Sequence, residues 1–391
     1  MLKISQKSWI VIFLLSIFFN ERFFYIIKDH SKWSIFLVAI TLIVTLLTFS
    51  NILNEKYRFV GVIISFLILN IITMVIGIFK YNQPLSLAIK AYRYTPFFLM
   101  YFPMKIIIKK IGVKNIKNIL MYLSTLVSIL YIIQALVYPQ IIIFNMYYSS
   151  RMGKVRFFTG VYLIVIGCFI TYSKIIRNCK KKYILFFIIQ ISEIIFVAQT
   201  RSITVGVIIS LIIVTFIQII KNRKNRMKFL GIILLISIIF LPYTISIINK
   251  LKSNNEDVGL IVRKNAINYM IEKSKESQFL GLGLYENSFE DFGYITGANK
   301  GYFYEDVGIF GFVFQYGFVG LIILGYIIIK IIVLTRRLGK NRISNTYYIQ
   351  YCVYTIVILP FNCILNVDNQ ILYFLLTISL LESEFLEIEK I

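Results

Sequence analysis

The stretch NKLKSNNEDVGLIVRKNAINYMIEKSKESQFLGLGLYENSFEDFGYITGANKGYFYED, residues 249–306, is the one long polar segment in a chain otherwise made of apolar runs. It carries nine of the 18 acidic residues. On either side, apolar runs reach about 20 residues, the length that crosses a hydrocarbon core of about 30 Å. Hydrophobic residues make up 58% of the 391, aromatic residues 16%, and the mean hydropathy is +0.79. The reading is an all-α integral membrane protein, a single polytopic domain over 1–391. The 249–306 loop does the work, because the other connectors are too short to build a site.

Working outward, the hydropathy predicts about 12 spans: 9–27, 33–53, 59–79, 94–108, 119–138, 157–173, 183–198, 202–220, 229–248, 307–329, 345–365 and 370–381. The fourth and the last are short enough to be re-entrant. The first apolar run, Trp9 to Phe19, has no small-residue cleavage site after it and reads as a retained span. With the amino terminus inside and the spans alternating, the inner segments carry 25 of the 42 Lys and Arg, and the large loop carries seven. The dense clusters Lys105 to Lys117, Lys174 to Lys182, Lys221 to Lys228 and Lys330 to Arg342 all fall on one side. The positive-inside rule then makes both termini cytoplasmic and the 249–306 loop extracytoplasmic. The same placement accounts for the net charge of +24 without nucleic acid. Cys168, Cys179, Cys352 and Cys363 contain no CxxC pair and form neither a zinc pattern nor a disulfide framework.

Within the loop, 259–277 has helical periodicity. Lys264, Asn268, Glu272, Lys275 and Glu276 share one face, and Leu260, Ile267, Met270 and Ile271 the other. That pattern suits an interfacial helix lying flat on the outer membrane surface. A glycine-punctuated stretch, FLGLGLYENSFEDFGYITGANKG (279–301), follows.

The candidate residues are charges that break the pattern. Arg263 falls on the apolar face of the loop helix, where it either meets a phosphate through paired charge-assisted hydrogen bonds or turns back to water. Arg151, Arg156 and Arg201 sit at outer span ends, against the positive-inside bias, as phosphate contacts or interfacial anchors. Glu193 reads as the only acid in the middle of a span, a costly position that marks pairing or function. It lies eight residues before Arg201, about two helical turns, so the two are candidates to line one cavity. Glu305 and Asp306 close the loop at the membrane edge and are candidates to orient or deprotonate a sugar hydroxyl. Tyr285, Phe289, Phe292, Tyr294, Tyr302, Phe303 and Tyr304 either stack on sugar rings or form an interfacial belt. His30 is the sole histidine, which argues against a His-rich metal site and a Ser-His-Asp hydrolase, and no Walker-type phosphate loop is present.

Three stretches carry a resemblance to a known family. RFFTG (156–160) resembles an Arg-x-x-Gly start of a span. QTRSIT (199–204) is similar to a Thr-x-Ser-Arg stretch opening the next span, without the usual serine before the arginine. Arg263, FLGLGLYENSF (279–289) and YEDVGIFGFVFQYGFVGL (304–321) resemble a large outer loop and the helix leaving it. Together they resemble the bacterial O-antigen polymerase and ligase superfamily, specifically Wzy-type polysaccharide polymerases of capsule or exopolysaccharide pathways. The resemblance implies a GT-C-like membrane glycosyltransferase in the bacterial cytoplasmic membrane. Its substrate would be an oligosaccharide repeat unit on undecaprenyl diphosphate, and it would need no metal or other cofactor. A flippase and a chain-length regulator are the protein partners it implies, beside membrane lipids. By family position Arg156, Arg201 and Arg263 would hold the diphosphate, and Asp306 or Glu305 the acceptor hydroxyl. Ligases of this superfamily carry a histidine in the loop. This loop has none, which favours a polymerase. The competing reading is a flippase of the lipid-linked oligosaccharide that performs no chemistry.

Overall fold

The structure, a computed structural model, describes residues 5–21, 30–140, 148–151, 154–221, 231, 258–340, 346–365 and 368–389. Helices α1 (Gln6–Glu21), α2 (His30–Leu53), α3 (Val60–Tyr81) and α4 (Leu85–Ala91) lead into a 3-10 turn, Thr95–Met100. Next come α5 (Tyr101–Ile111), α6 (Val113–Val137), α7 (Val161–Arg177), α8 (Lys181–Ser192), a π turn at Glu193–Ala198, and α9 (Arg201–Lys221). The loop segment holds α10 (Val258–Glu276) and the short α11 (Phe292–Thr296). Then follow α12 (Gly308–Lys340), α13 (Thr346–Ile358) and α14 (Asp368–Glu389). One departure from an all-helical chain is a small antiparallel hairpin, β1 (Ser149–Arg151) on β2 (Lys154–Arg156), which pairs Ser149 with Arg156.

Helix occupies each predicted span that falls on described residues; 229–248 lies outside them except for residue 231. Among the described residues five helices, α2, α3, α6, α9 and α12, are long and apolar enough to cross a membrane on their own. Two populations of helix are distinguished by where their apolar side chains go. α2 and α3 leave Leu46, Leu53 and Phe79 more than two thirds exposed, the surface expected of helices whose solvent is lipid. The short α5 and the sequence-terminal α14 pack on each other and are buried nearly all round. These are the two segments whose length suggested re-entry, and they are the core of the bundle.

A saturated cluster of charge lies where α5 and α14 meet, at the end away from the loop. Lys105, 1% exposed, donates to Glu382, 0% exposed, at 2.6 Å. The same carboxylate accepts the Arg58 backbone N–H at 2.7 Å and the Tyr101 hydroxyl. Lys105 also donates to the Lys56 carbonyl and lies over the Tyr57 ring. Two placements lie beyond what run lengths predict: Lys105, from one of the dense basic clusters, is buried, and α14 runs past the predicted span end at 381 and carries Glu382 inside, at the helix end rather than in mid-span like Glu193.

The helix leaving the loop is broken. Gly317 in α12 takes φ 64°, ψ −165°, a region open essentially to glycine alone. A break inside a membrane helix strands backbone carbonyls that water cannot reach. The glycine-punctuated loop supplies their donors. Leu282 N–H bonds the Phe314 carbonyl at 2.8 Å and Gly283 N–H the Gln315 carbonyl at 3.0 Å. In return Phe318 N–H bonds the Phe279 carbonyl at 3.0 Å. The approach is close enough that a Cβ on Gly317 would meet the Phe279 carbonyl oxygen at 2.3 Å, and one on Gly281 would meet Gln315 O at 2.7 Å. FLGLG and FQYGF are therefore two halves of one clasp.

The loop segment has its own small core of Ala266, Met270, Leu282, Tyr285, Phe289, Ile295, Val307 and Phe314. α10 packs on α12 and on the 3-10 turn Tyr304–Val307. Its buried positions Ala266, Met270 and Ser274, continued by Ser277 just past its end, form one stripe that faces protein.

Candidate functional site

Beside the clasp opens a cavity of about 460 Å3, whose polar lining includes Asn70, Arg93, Thr95, Glu286, Glu305 and Gln315. Its residues come from α3, the 91–95 turn, the loop, α12 and the approach to α14.

Arg93 is the cation of the cavity. Its Nη1 pairs with Glu286 Oε2 at 3.0 Å, and its guanidinium lies 5.3 Å from the Tyr94 ring centre. Arg93 belongs to the stretch AYRYTPF (91–97) and lies at an outer span end by the same charge count that singled out Arg151, Arg156 and Arg201. The sequence reading passed over it although the signal was of the same kind. What the sequence does not carry is its partner, 193 positions away.

The neighbouring groups fix the walls. The Tyr92 hydroxyl donates to Thr73 Oγ1 at 2.9 Å and accepts the Leu284 N–H at 2.9 Å. Burial pushes that phenol up to about 12, so it stays neutral and acts as a strut between α3 and the loop. Asn70 Oδ1 accepts from Thr95 at 3.2 Å and from the Tyr316 hydroxyl at 3.3 Å. The Gln83 amide, oriented to satisfy both its neighbours, donates to the Leu284 carbonyl at 3.2 Å and accepts the Glu286 N–H at 3.3 Å. With the walls held so firmly, one group is conspicuous. The Gln315 side chain is 1% exposed, lines the cavity, and has neither its amide nitrogen nor its oxygen bonded to any described residue. A buried amide left so costs about 1–3 kcal/mol per unmet group, which a ligand's hydroxyls would recover.

Glu305 and Asp306 are both exposed residues of the turn ahead of α12; Glu305 lines the cavity and Asp306 does not. The tip of Glu305 reaches water, yet protein fills most of the space around the carboxyl. That crowding first, and the charge of Asp306 second, raise its carboxyl above the ordinary carboxylate range. A carboxylate raised in this way binds a proton more readily, the property wanted in a general base.

The three arginines expected to hold phosphate lie outside this lining. Arg156 ends β2; its Nε donates to Ser149 Oγ at 2.5 Å and its guanidinium lies 4.9 Å from the Phe158 ring. Phe157 N–H bonds the Val197 carbonyl, which ties RFFTG to the π turn just ahead of Arg201. Arg201 opens α9 after Gln199 has reversed the chain at φ 51°. Arg263 lies half-buried at the head of the packed stripe of α10, and that helix rests on the turn carrying Glu305 and Asp306. The side chain of Arg151 is outside what the structure describes. A bridge joins the two groups. Asn362 and Gln370 both donate to the Tyr162 hydroxyl, at 3.0 and 2.5 Å, just after RFFTG. Ile309 N–H bonds the Leu359 carbonyl on the other side. The candidate charges thus share one end of the molecule.

Glu193 is 0% exposed, and neither carboxylate oxygen bonds a described residue. The π turn and the reversal at Gln199 end the helical register assumed between Glu193 and Arg201. Among the loop aromatics, Tyr285 and Phe289 belong to the small core, Tyr285 and Tyr304 also line the cavity, and Tyr294 and Phe303 are exposed. Among the described residues no cluster of His, Cys, Asp and Glu is arranged to hold a metal.

No curated protein matches the chain, and no solved structure does. A family model does match: residues 184–325, from α8 through α10 and the clasp into α12, fit the model described as O-antigen ligase. Members of that family are membrane enzymes of glycosyl transfer that process lipid-linked sugars. The match takes in the π turn, Arg201, Arg263, Glu305 and the FLGLG–FQYGF pairing, and over that part of the chain it supports a likeness to the O-antigen ligase and polymerase superfamily.

Proposed function

We propose that this protein polymerises oligosaccharide repeat units carried on undecaprenyl diphosphate at the extracytoplasmic leaflet, building a surface polysaccharide such as a capsule or exopolysaccharide. The observation that carries the reading is the cavity at the loop end, where a crowded carboxylate, an arginine–glutamate pair and an unbonded buried amide face one space. Such a lining matches a sugar, which offers both donors and acceptors to groups that lack partners.

In this reading the acceptor sugar of an incoming unit occupies the cavity, and its hydroxyl meets Glu305, with Asp306 adjacent. The growing chain lies with its diphosphate among Arg156, Arg201 and Arg263. The acceptor oxygen bonds the anomeric carbon while the bond from that carbon to the phosphate oxygen breaks. The hydroxyl proton passes to the Glu305 carboxylate, and undecaprenyl diphosphate leaves with the electron pair. The diphosphate is a good leaving group, so the protein's share is positioning and charge stabilisation. The absence of a histidine from the loop favours a polymerase over a ligase.

The test is a strain lacking the protein, complemented with Glu305→Gln or Arg263→Ala at equal membrane level, its surface polysaccharide resolved on a gel. Single repeat units at the surface without a ladder are expected. Repeat units trapped on the cytoplasmic leaflet would instead identify a flippase, and an intact ladder from both variants would remove these residues from the reaction.

A further inference from the structure

A second cavity, of about 610 Å3, lies at the end away from the loop, between the start of α6, the end of α7, the start of α8 and the end of α14. Five cationic side chains line it, Lys114, Lys117, Lys174, Arg177 and Lys182, against two carboxylates, Glu384 and Glu387. Lys117 pairs with Glu384 at 2.7 Å, and Glu384 is further engaged by the Tyr348 hydroxyl at 2.5 Å. Lys174 donates to the Asn118 side-chain oxygen, a neutral partner. The ammonium groups of Lys174 and Lys182 both lie over the Tyr183 ring, at 5.4 and 5.2 Å. Lys174 is also within electrostatic reach of Lys114 and Lys117. One wall therefore gathers several cations that repel one another, and the two acids do not offset them.

The positive-inside rule accounts for lysines on exposed connectors. It does not require them to converge on a walled space. The cavity also has an apolar exit. Tyr122 lines it, is 50% exposed, and meets the Phe186 ring edge-on across the α6–α8 seam. From there Leu126 and Ile129 on α6, and Leu185 and Ile188 on α8, stay exposed to the lipid side. Cations at the head and an apolar strip behind them match the two parts of an anionic phospholipid.

We infer that this cavity binds a phosphate group, supplied by an anionic lipid of the adjoining leaflet, with the phosphate among Lys114, Lys174 and Lys182 and an acyl chain along the α6–α8 seam. The site is independent of the reaction at the other end.

The experiment uses the full-length protein in detergent, with bound lipid read by native mass spectrometry. Phosphatidylglycerol, phosphatidylcholine and inorganic phosphate are added in turn. Wild type is compared with the double variant Lys174→Gln, Lys182→Gln and with a control, Lys180→Gln, Lys181→Gln, drawn from the same basic run but outside the lining. Phosphatidylglycerol is expected to bind wild type and control alike and the first variant about tenfold more weakly, with phosphatidylcholine weak throughout. Binding of inorganic phosphate that competes with the lipid and is lost in the same variant would support the phosphate site while overturning the lipid as its source. Equal losses in both double variants, or a loss in neither, would overturn the site. The exposed Lys114→Gln, with an unchanged unfolding temperature, guards against a folding defect in the double variant.

Discussion

Two polar clusters occupy opposite ends of the same bundle, and they are settled in opposite ways. At the end away from the loop, Glu382 is fully buried and fully bonded, to Lys105, Tyr101 and the Arg58 N–H. At the loop end, Arg93 and Glu286 pair at the edge of an open cavity, Gln315 is buried with its side-chain amide unbonded, and Glu305 reaches water. A closed cluster with every partner supplied by the protein holds helices in register. An open one with partners missing is arranged for something that arrives. The difference teaches that burial of charge alone does not mark a functional site; what marks it is the unmet bonding capacity facing a space.

The contrast breaks or sharpens under substitution. Glu382→Ala should have the largest effect on stability, because it strands the Lys105 ammonium in the core. Loss of one partner of a buried pair costs about 3–5 kcal/mol, and the detergent-solubilised protein should unfold at a much lower temperature or fail to accumulate. Glu305→Gln should leave that temperature in place and lower polymer formation by about 10²–10⁴-fold, the usual share of a general base. In wild type, protonation of Glu305 should shut the reaction down as pH falls. Since its carboxyl is raised, that acid limb should lie above the ordinary carboxylate range, and the variant should lack it. Gly317→Ala places a side chain where backbone already stands and should cost about 1–3 kcal/mol. It loosens the clasp, so stability and activity should fall together, unlike in Glu305→Gln. Gln315→Leu is the mildest for the fold, neutral or slightly stabilising because it removes an unmet buried amide. It should still lower activity if that amide meets sugar. Were Gln315→Leu to destabilise as strongly as Glu382→Ala, the distinction between closed and open clusters would fail.

Much of this was readable from residue types. The membrane class follows from the run lengths, the helix positions from the same runs, and the interest of the loop end from charges placed against the orientation bias. Arg93 was readable by that bias and was passed over among the short connectors. Glu382 was not, since it lies just past the end of an apolar run. Its burial depends on α14 being wrapped by α5 rather than on its own sequence. Gln315 in FGFVFQYGF reads as a polar residue on a lipid helix, and only the packing of α3, the 91–95 turn and the loop around it makes it a cavity wall.

By itself the sequence determined that this is a membrane protein of helices with one polar segment, because transfer of apolar surface and the placement of charge are local properties summed along a chain. It also carried FLGLG and FQYGF as separate words. Only the tertiary structure decided that they are one clasp, that Arg93 meets Glu286, and that Glu305 rather than Asp306 faces the cavity. Each of those outcomes is a contact between distant segments, and hydropathy is silent on which helix faces which when lipid and protein interior are equally apolar.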